Sequence, residues 1–238
     1  AAALATLACA LLAGTQAHAQ RWLQWQGQGE AQAQESGAGD SPLVGRMVDG
    51  VGLEQWTARW WRWAHGQAVP PYLDRDGRLC DLGQEGPVWF LAGTDGSFEP
   101  RRECVVPEGK HLLLPVINMI HWQQQAGGPP CSTLQRGAAV NNDRLASAVV
   151  LLNGESLGDI RQRRVRSGCF EIAPDDPGSL LAAADGYWVM LKPLPRGRHT
   201  LVVAANYGGA GTGAGDAGMR QNFEYVLHVG APVLISAR

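Results

Sequence analysis

Apolar and polar positions follow two different rhythms along this chain. The first occupies Leu53 to His65, where tryptophans fall at 56, 60 and 63. Spacings of four and three put these indoles on one face of a helix, with Arg59 and Arg62 flanking the stripe and Trp61 off it. Gly66 is placed to end the helix, and Pro70-Pro71 keep it from resuming. Each stripe indole has about 150 to 250 Å² to bury. Core packing is therefore the first expectation for them, and stacking on a sugar ring or another apolar ligand the second.

After the helix the rhythm shortens to brief apolar runs punctuated by Gly, Pro, Asn and Asp. Strands are predicted at Val88 to Ala92, Cys104 to Val106, His111 to Ile117, Ala148 to Leu152, Cys169 to Ile172, Tyr187 to Leu191, Thr200 to Ala205, Phe223 to Val229 and Val233 to Ser236. In the eighth run Phe223, Tyr225, Leu227 and Val229 alternate with Glu224, Val226 and His228, which points the first set inward and the second largely to solvent. Asn153-Gly154, Asp185-Gly186 and Pro195-Arg196-Gly197 supply the backbone freedom that reversals need. No long helical pattern is read between the strands. The expected class is mostly β: an antiparallel β-sandwich, jelly-roll or immunoglobulin-like, with one N-terminal Trp-rich amphipathic helix packed on it. The Gly-rich stretch Tyr207 to Gly218 is expected to be a long surface loop.

The N-terminal pattern matches neither rhythm. Ala1 to Leu12 is a run of small apolar residues, and a short polar stretch leads to Ala17-His18-Ala19 before Gln20, the shape of a secretory h-region with an A-x-A cleavage site. With no initiator Met or basic n-region in front, the sequence is expected to start inside that signal peptide. The run is too short for a membrane anchor, which needs roughly 20 residues. Leu7 sits one place too close to Cys9 for a good lipobox. Residues 20–43 read as a disordered linker, since Gln26 to Asp40 offer no apolar side chain larger than Ala to offset ordering entropy. A single disulfide-stapled domain is expected over 44–238.

Cleavage after Ala19 changes the cysteine arithmetic, because it removes Cys9 and leaves Cys80, Cys104, Cys131 and Cys169. An even set in an exported chain implies disulfides, and of the three possible pairings Cys80 with Cys104 and Cys131 with Cys169 closes the shortest loops. A zinc site is disfavoured by the lack of C-x-x-C spacing, and no metal or other cofactor is expected. The formal net charge of -2 gives no electrostatic case for nucleic acid or an anionic membrane. Oligomeric state is not legible.

Several groups of residues have candidate chemistry. His111, Asn118 and His121, with Arg102 just before their run, have the makings of a polar cluster at a strand end, since neutral imidazole suits ligand binding as well as metal. Trp61 and Trp122 are the expected exposed aromatics. Asp74-Arg-Asp-Gly77 suggests half of a calcium loop, but Arg78 stands at its fifth position and the required glycine is displaced, so a solvated Asp-Gly turn is preferred. Arg161, Arg163, Arg164 and Arg166 form a basic run, read as a solvated strand face rather than an anion site. Gly39-Asp40-Ser41 resembles the nucleophile block of GDS-type esterases, without the apolar strand such a serine needs. Neither an H-E-x-x-H zinc helix nor a phosphate loop occurs.

Four segments resemble a family of uncharacterised secreted bacterial proteins. They are Trp56-Thr-Ala-Arg-Trp-Trp-Arg-Trp-Ala64, Gly83-Gln-Glu-Gly-Pro-Val-Trp-Phe-Leu-Ala-Gly93, Cys104-Val-Val-Pro-Glu-Gly-Lys-His-Leu-Leu-Leu-Pro-Val-Ile-Asn118, and Asp185-Gly-Tyr-Trp-Val-Met-Leu191 with Leu194-Pro-Arg-Gly-Arg-His-Thr-Leu201. The resemblance implies export and carries no activity.

Taken together these residues lead to an exported, non-catalytic binding or interaction module, periplasmic or extracellular. A glycan or small molecule would sit on a concave face formed by Arg102, His111, Asn118, His121, Trp122 and Trp61. The alternatives are a secreted hydrolase of envelope polymer or a small ester, working through Asp74, Glu85, His111 or His121, and a purely structural envelope protein.

Overall fold

The tryptophan stripe forms the expected helix, α1 (Leu53–Gly66), and buries Trp56, Trp60 and Trp63. The structure is a computed structural model that describes residues 41–208 and 218–231. Outside them lie the expected signal peptide, nearly all of the linker, most of the Gly-rich loop and the strand Val233 to Ser236. Leu43, which falls in the linker by composition, already bridges to Leu191, and Val44 N–H donates to the Met190 carbonyl at 2.8 Å.

The strands are β1 (Met47–Val48), β2 (Val51–Gly52), β3 (Val88–Phe90), β4 (Arg101–Val106), β5 (His111–Trp122), β6 (Leu145–Leu152), β7 (Glu155–Ser156), β8 (Arg164–Arg166), β9 (Phe170–Glu171), β10 (Leu181–Leu191), β11 (Gly197–Tyr207) and β12 (Arg220–Val229). β1 and β2 form a small hairpin. One five-stranded sheet has the order β3-β5-β10-β8, with β9 also paired to β10, and the other has the order β4-β12-β11-β6-β7. The chain is thus mostly β, as its pattern predicts.

Both sheets are mixed rather than wholly antiparallel. β3 runs parallel to β5, and β4 parallel to β12. After β3 the chain crosses to the second sheet to lay down β4 and then returns, so β5 re-enters beside β3 in the same direction.

A second helix, α2 (Cys131–Asn142), stands between β5 and β6 and packs on β5 and β10. This helix interrupts the run of strands in which no helical pattern is expected. Its apolar face is only Leu134 and Ala138, too narrow a stripe to stand out by periodicity. Disulfides join Cys80 to Cys104 and Cys131 to Cys169, the pairing expected from loop length.

β5 and β10 are apolar on both faces because both faces are covered. Leu112, Leu114 and Val116 of β5 share a core with Val150, Leu201, Val203, Tyr225 and Leu227 of the other sheet. Leu113 points the opposite way, with Trp188 and Met190 of β10, into a second core closed by Trp56, Trp60 and Trp63. A continuous apolar run is what double coverage requires. In β12, Phe223, Tyr225, Leu227 and Val229 face inward as expected, and Val226 is buried as well.

One expected reversal is absent. Asp185-Gly186 lies in the middle of β10, where Asp185 pairs with Arg166 and Gly186 with Asn118 and Val165. The strand carries a carboxylate there because arginines on β8 neutralise it. The glycine belongs there because a Cβ would stand 2.4 Å from the Asn118 Cβ. Asn153-Gly154 is a true turn, with φ of +53° and +86°, joining β6 to β7.

Candidate functional site

Trp61 differs from its neighbours on α1 in one respect. The stripe indoles each donate to a backbone carbonyl: Trp56 to Val48 at 3.2 Å, Trp60 to Leu91 at 2.8 Å and Trp63 to Leu82 at 2.8 Å. The Trp61 Nε1 is buried with no hydrogen-bond partner. Its ring is set edge-on against Trp60, centroids 4.9 Å apart at 87°, and Trp60 is itself edge-on to Trp188. The orientation of the free indole N–H is therefore fixed from behind.

Trp61 lines a cleft of about 390 Å³ between α1 and the far half of β5. Asn118, Ile120 and Trp122, alternate residues of one strand face, form the opposite wall. Tyr72, on the short 3₁₀ turn Pro71–Leu73, and Met219 contribute further apolar surface. Gly93 and Thr94 form a third side, held by Gln221, whose Oε1 accepts from Thr94 N–H at 2.8 Å and whose Nε2 donates to the Thr94 carbonyl at 2.5 Å.

Asn118 adds a second unmet donor, since its Nδ2 is also buried without a partner. Two buried N–H groups left unpaired cost about 1 to 3 kcal/mol each. Trp122 is 41% exposed at the mouth, leaving its ring face open. At the rim, the Ser97 hydroxyl and N–H donate to Asp95 and hold its carboxyl below the usual carboxylate range, so it is anionic at neutral pH. Among the described residues that line the cleft, only His65 can carry a positive charge.

Asn118, Trp122 and Trp61 are thus brought together, but Arg102, His111 and His121 are not with them. Arg102 sits on β4 and is 1% exposed, donating to the Asp74 and Ala92 carbonyls and the Tyr225 hydroxyl at 2.7 to 2.9 Å. It braces a core. His111 opens β5 while His121 nearly closes it, ten residues on, or about 33 Å along a strand. Exposed His121 points to the face opposite Asn118, with its ring against Gly137 of α2. The single polar cluster expected from these residues fails because β5 is twelve residues long and its side chains alternate.

Asp74 is buried, and its carboxylate accepts from the N–H groups of Asp76, Gly77 and Leu79, which makes the segment an Asp-anchored turn. Among the described residues no three His, Cys, Asp or Glu side chains are grouped to hold a metal. The basic run is not a solvated face. Arg164 binds Asp185 through two bonds of 2.8 Å, Arg166 reaches the same carboxylate at 3.1 Å, and Arg161 donates to the Leu145 and Ala146 carbonyls. Asn142, at the end of α2, donates to the Asp185 carbonyl and accepts from the Tyr207 hydroxyl, closing a polar network no local motif announced.

Two glycine motifs stand apart from the cleft. Gly154-Glu-Ser-Leu-Gly158 has the spacing of a nucleophile elbow, which requires a strand-to-helix turn. Ser156 instead lies on the return strand of the β6-β7 hairpin, exposed, its hydroxyl accepting from Gly158 N–H at 3.2 Å. Gly213-Ala-Gly-Asp-Ala-Gly218 has dinucleotide-type spacing and lies almost wholly outside the described residues.

A wider groove of about 880 Å³ runs along the other side of α1, past Arg59, Arg62, Glu85 and Asp175. Its cations are engaged: Arg59 lies 4.4 Å over the Trp56 ring, and Arg62 donates to the Glu171 carbonyl at 2.8 Å. The smaller cleft is the stronger candidate because it brings Trp61, Asn118 and the exposed Trp122 together. A scan against protein-family models, a search of curated proteins and a search of solved structures each return no match.

Proposed function

We propose that this chain is an exported, non-catalytic binding module of the cell envelope or extracellular space that takes a glycan or small molecule in the cleft between α1 and β5. The observation that carries the reading is an aromatic-lined hollow of about 390 Å³ with Trp61 and Asn118 on opposite walls and Trp122 exposed beside them. Clefts of this size with apolar walls and a few convergent polar groups are where small ligands bind. A single core drawing on both five-stranded sheets supports a sandwich-type architecture as the rigid support. Two disulfides support folding in an oxidising compartment. They accord with the proposed kinship to secreted bacterial proteins.

A non-catalytic role is favoured over hydrolysis because Asp74, Glu85, His111 and His121, the residues such a hydrolase was expected to use, do not converge. Asp74 is consumed by backbone N–H groups, Glu85 lies in the wider groove, and the two β5 histidines stand at opposite ends of their strand. The test is a glycan-array and small-molecule screen of the oxidised full chain, with tryptophan fluorescence as readout. Saturable binding that Trp122→Ala removes supports the proposal, and a screen that recovers no ligand overturns it.

A further inference from the structure

We infer that the open edge of β5 between Asn118 and Trp122 is a docking site for an extended, apolar peptide segment of a partner protein, which adds to the sheet as a strand. β3 pairs with β5 only over His111 to Leu113, where His111 N–H donates to the Pro87 carbonyl and Leu91 N–H to the Leu113 carbonyl. The next bond of that parallel ladder would run from the N–H of residue 115 to the Leu91 carbonyl. Pro115 has no N–H to donate, and the Leu91 carbonyl accepts from Trp60 Nε1 instead. From there the chain leaves the sheet, tied at Ala92 by Tyr225 and Arg102 and at Thr94 by Gln221. Among the described residues no strand replaces β3 beside the rest of β5.

The main-chain groups left over face the cleft. On β10 the Ala184 carbonyl accepts from Ser167 N–H on the far side, so Ala183 and Asp185 are the residues that bond across to their partners His121 and Met119. Asn118, Ile120 and Trp122 therefore turn their main-chain N–H groups to the open side. The cleft is lined by Met119 as well as by Asn118 and Ile120, whose side chains leave opposite faces of the strand. A hollow that touches both sets bends around the edge itself. Other edges are guarded: β7 and β9 are two residues long, β8 carries Arg164 and Arg166, and the Glu103 N–H of β4 is taken by the Asp76 carbonyl. Val116 to Ile120 carries neither charge nor proline. An added strand would set its residues beside Ile120 and Trp122 on one face and Met119 on the other, so apolar side chains suit both. This goes beyond the small-ligand reading, because the partner is held by main chain at the strand edge.

Hydrogen exchange of the oxidised full chain reads the edge before any partner is added. The Ile120 and Trp122 amides are expected to exchange about tenfold or more faster than those of Met119 and His121, which bond to β10. A phage-displayed library of random heptapeptides is then selected against the same protein. The expected result is an enriched apolar peptide that slows exchange at Ile120 and Trp122. N-methylation of one alternate set of its amides abolishes binding, and methylation of the other set leaves it intact. Trp122→Pro, which removes an edge N–H along with the ring, binds that peptide about tenfold or more weakly than Trp122→Ala, which removes the ring alone. Slow exchange at Ile120 in the free protein, a library that enriches nothing, or a peptide that binds without protecting those amides overturns the edge assignment. The small-ligand reading stands or falls separately, on the glycan and small-molecule screen.

Discussion

Arg164 grips Asp185 from the neighbouring strand through two bonds of 2.8 Å, Nε to Oδ1 and Nη2 to Oδ2, with the carboxylate only 2% exposed. Arg166 shares that carboxylate, and both guanidinium groups reach back to Asp143 at the end of α2. The pair raises the Arg164 pKa above its already high ordinary value, chiefly through the Asp185 bonds.

Removing the acid leaves Arg164, 20% exposed, without its main partner. Asp185→Ala is expected to destabilise the fold by about 3 to 5 kcal/mol, measured as the loss in urea unfolding free energy. A change below about 1 kcal/mol would mean the network is ornamental.

Gly186 faces Asn118 across the β5–β10 pair, and a methyl group there would meet the Asn118 Cβ at 2.4 Å, its Cα at 2.7 Å and the Ile117 carbonyl at 2.9 Å. All three are backbone or Cβ atoms that cannot swing away. Gly186→Ala therefore forces the two strands apart at the cleft wall, at a cost of about 1 to 3 kcal/mol. Thermal unfolding measures the cost, and Asn118 side-chain amide resonances displaced in the same variant tie it to the cleft.

Reducing both disulfides frees loops of 24 and 38 residues' separation. Each is worth about 3 to 4 kcal/mol in the loop-entropy account, so a reductant should lower the urea midpoint sharply. Thiol titration of natively produced protein should detect no free sulfur at Cys80, Cys104, Cys131 or Cys169. Reactive thiols at these positions in the native state would remove the support for an oxidising compartment.

Burial pushes the phenols of Tyr207 and Tyr225 above the ordinary tyrosine value, and the charge of Asp185 adds to the rise at Tyr207. The folded state thus holds these protons more tightly than the unfolded chain, whose tyrosines ionise near roughly pH 10. Their contribution to stability is intact below that pH and lost as pH climbs toward the folded values. Phenolate absorbance from these residues should appear only with unfolding. Ionisation near pH 10 in the folded protein would contradict their burial.

The residues that declared themselves in the sequence are those governed by local rules. The spacing of Trp56, Trp60 and Trp63 announced α1, apolar runs located the strand centres, and loop length chose the cysteine pairs. Polar residues inside strands were misread as strand ends. Asn118 and Asp185 interrupt apolar runs, and only their partners across the sheet, Gly186 and Arg164, keep β5 and β10 going. The candidate site was half legible. Trp61 and Trp122 stood out as aromatics off the core pattern, and Asn118 as a polar residue after an apolar run. Arg102 and His121 were grouped with them because nearness in sequence stood in for a face. Strand alternation turned His121 away, and Arg102 belongs to the other sheet. The placing of Trp61 opposite Asn118, Ile120 and Trp122 depends on the path of the whole backbone and has no signature in local sequence.

The most direct test of the binding account is the indole N–H resonance of Trp61, followed by ¹H–¹⁵N correlation as the hits of the glycan and small-molecule screen are added. The account predicts that this resonance moves and saturates with the ligand that binds, while that of Trp63, which lies outside the cleft and is bonded to the Leu82 carbonyl, stays in place. A ligand that binds tightly and leaves the Trp61 resonance unmoved would contradict it.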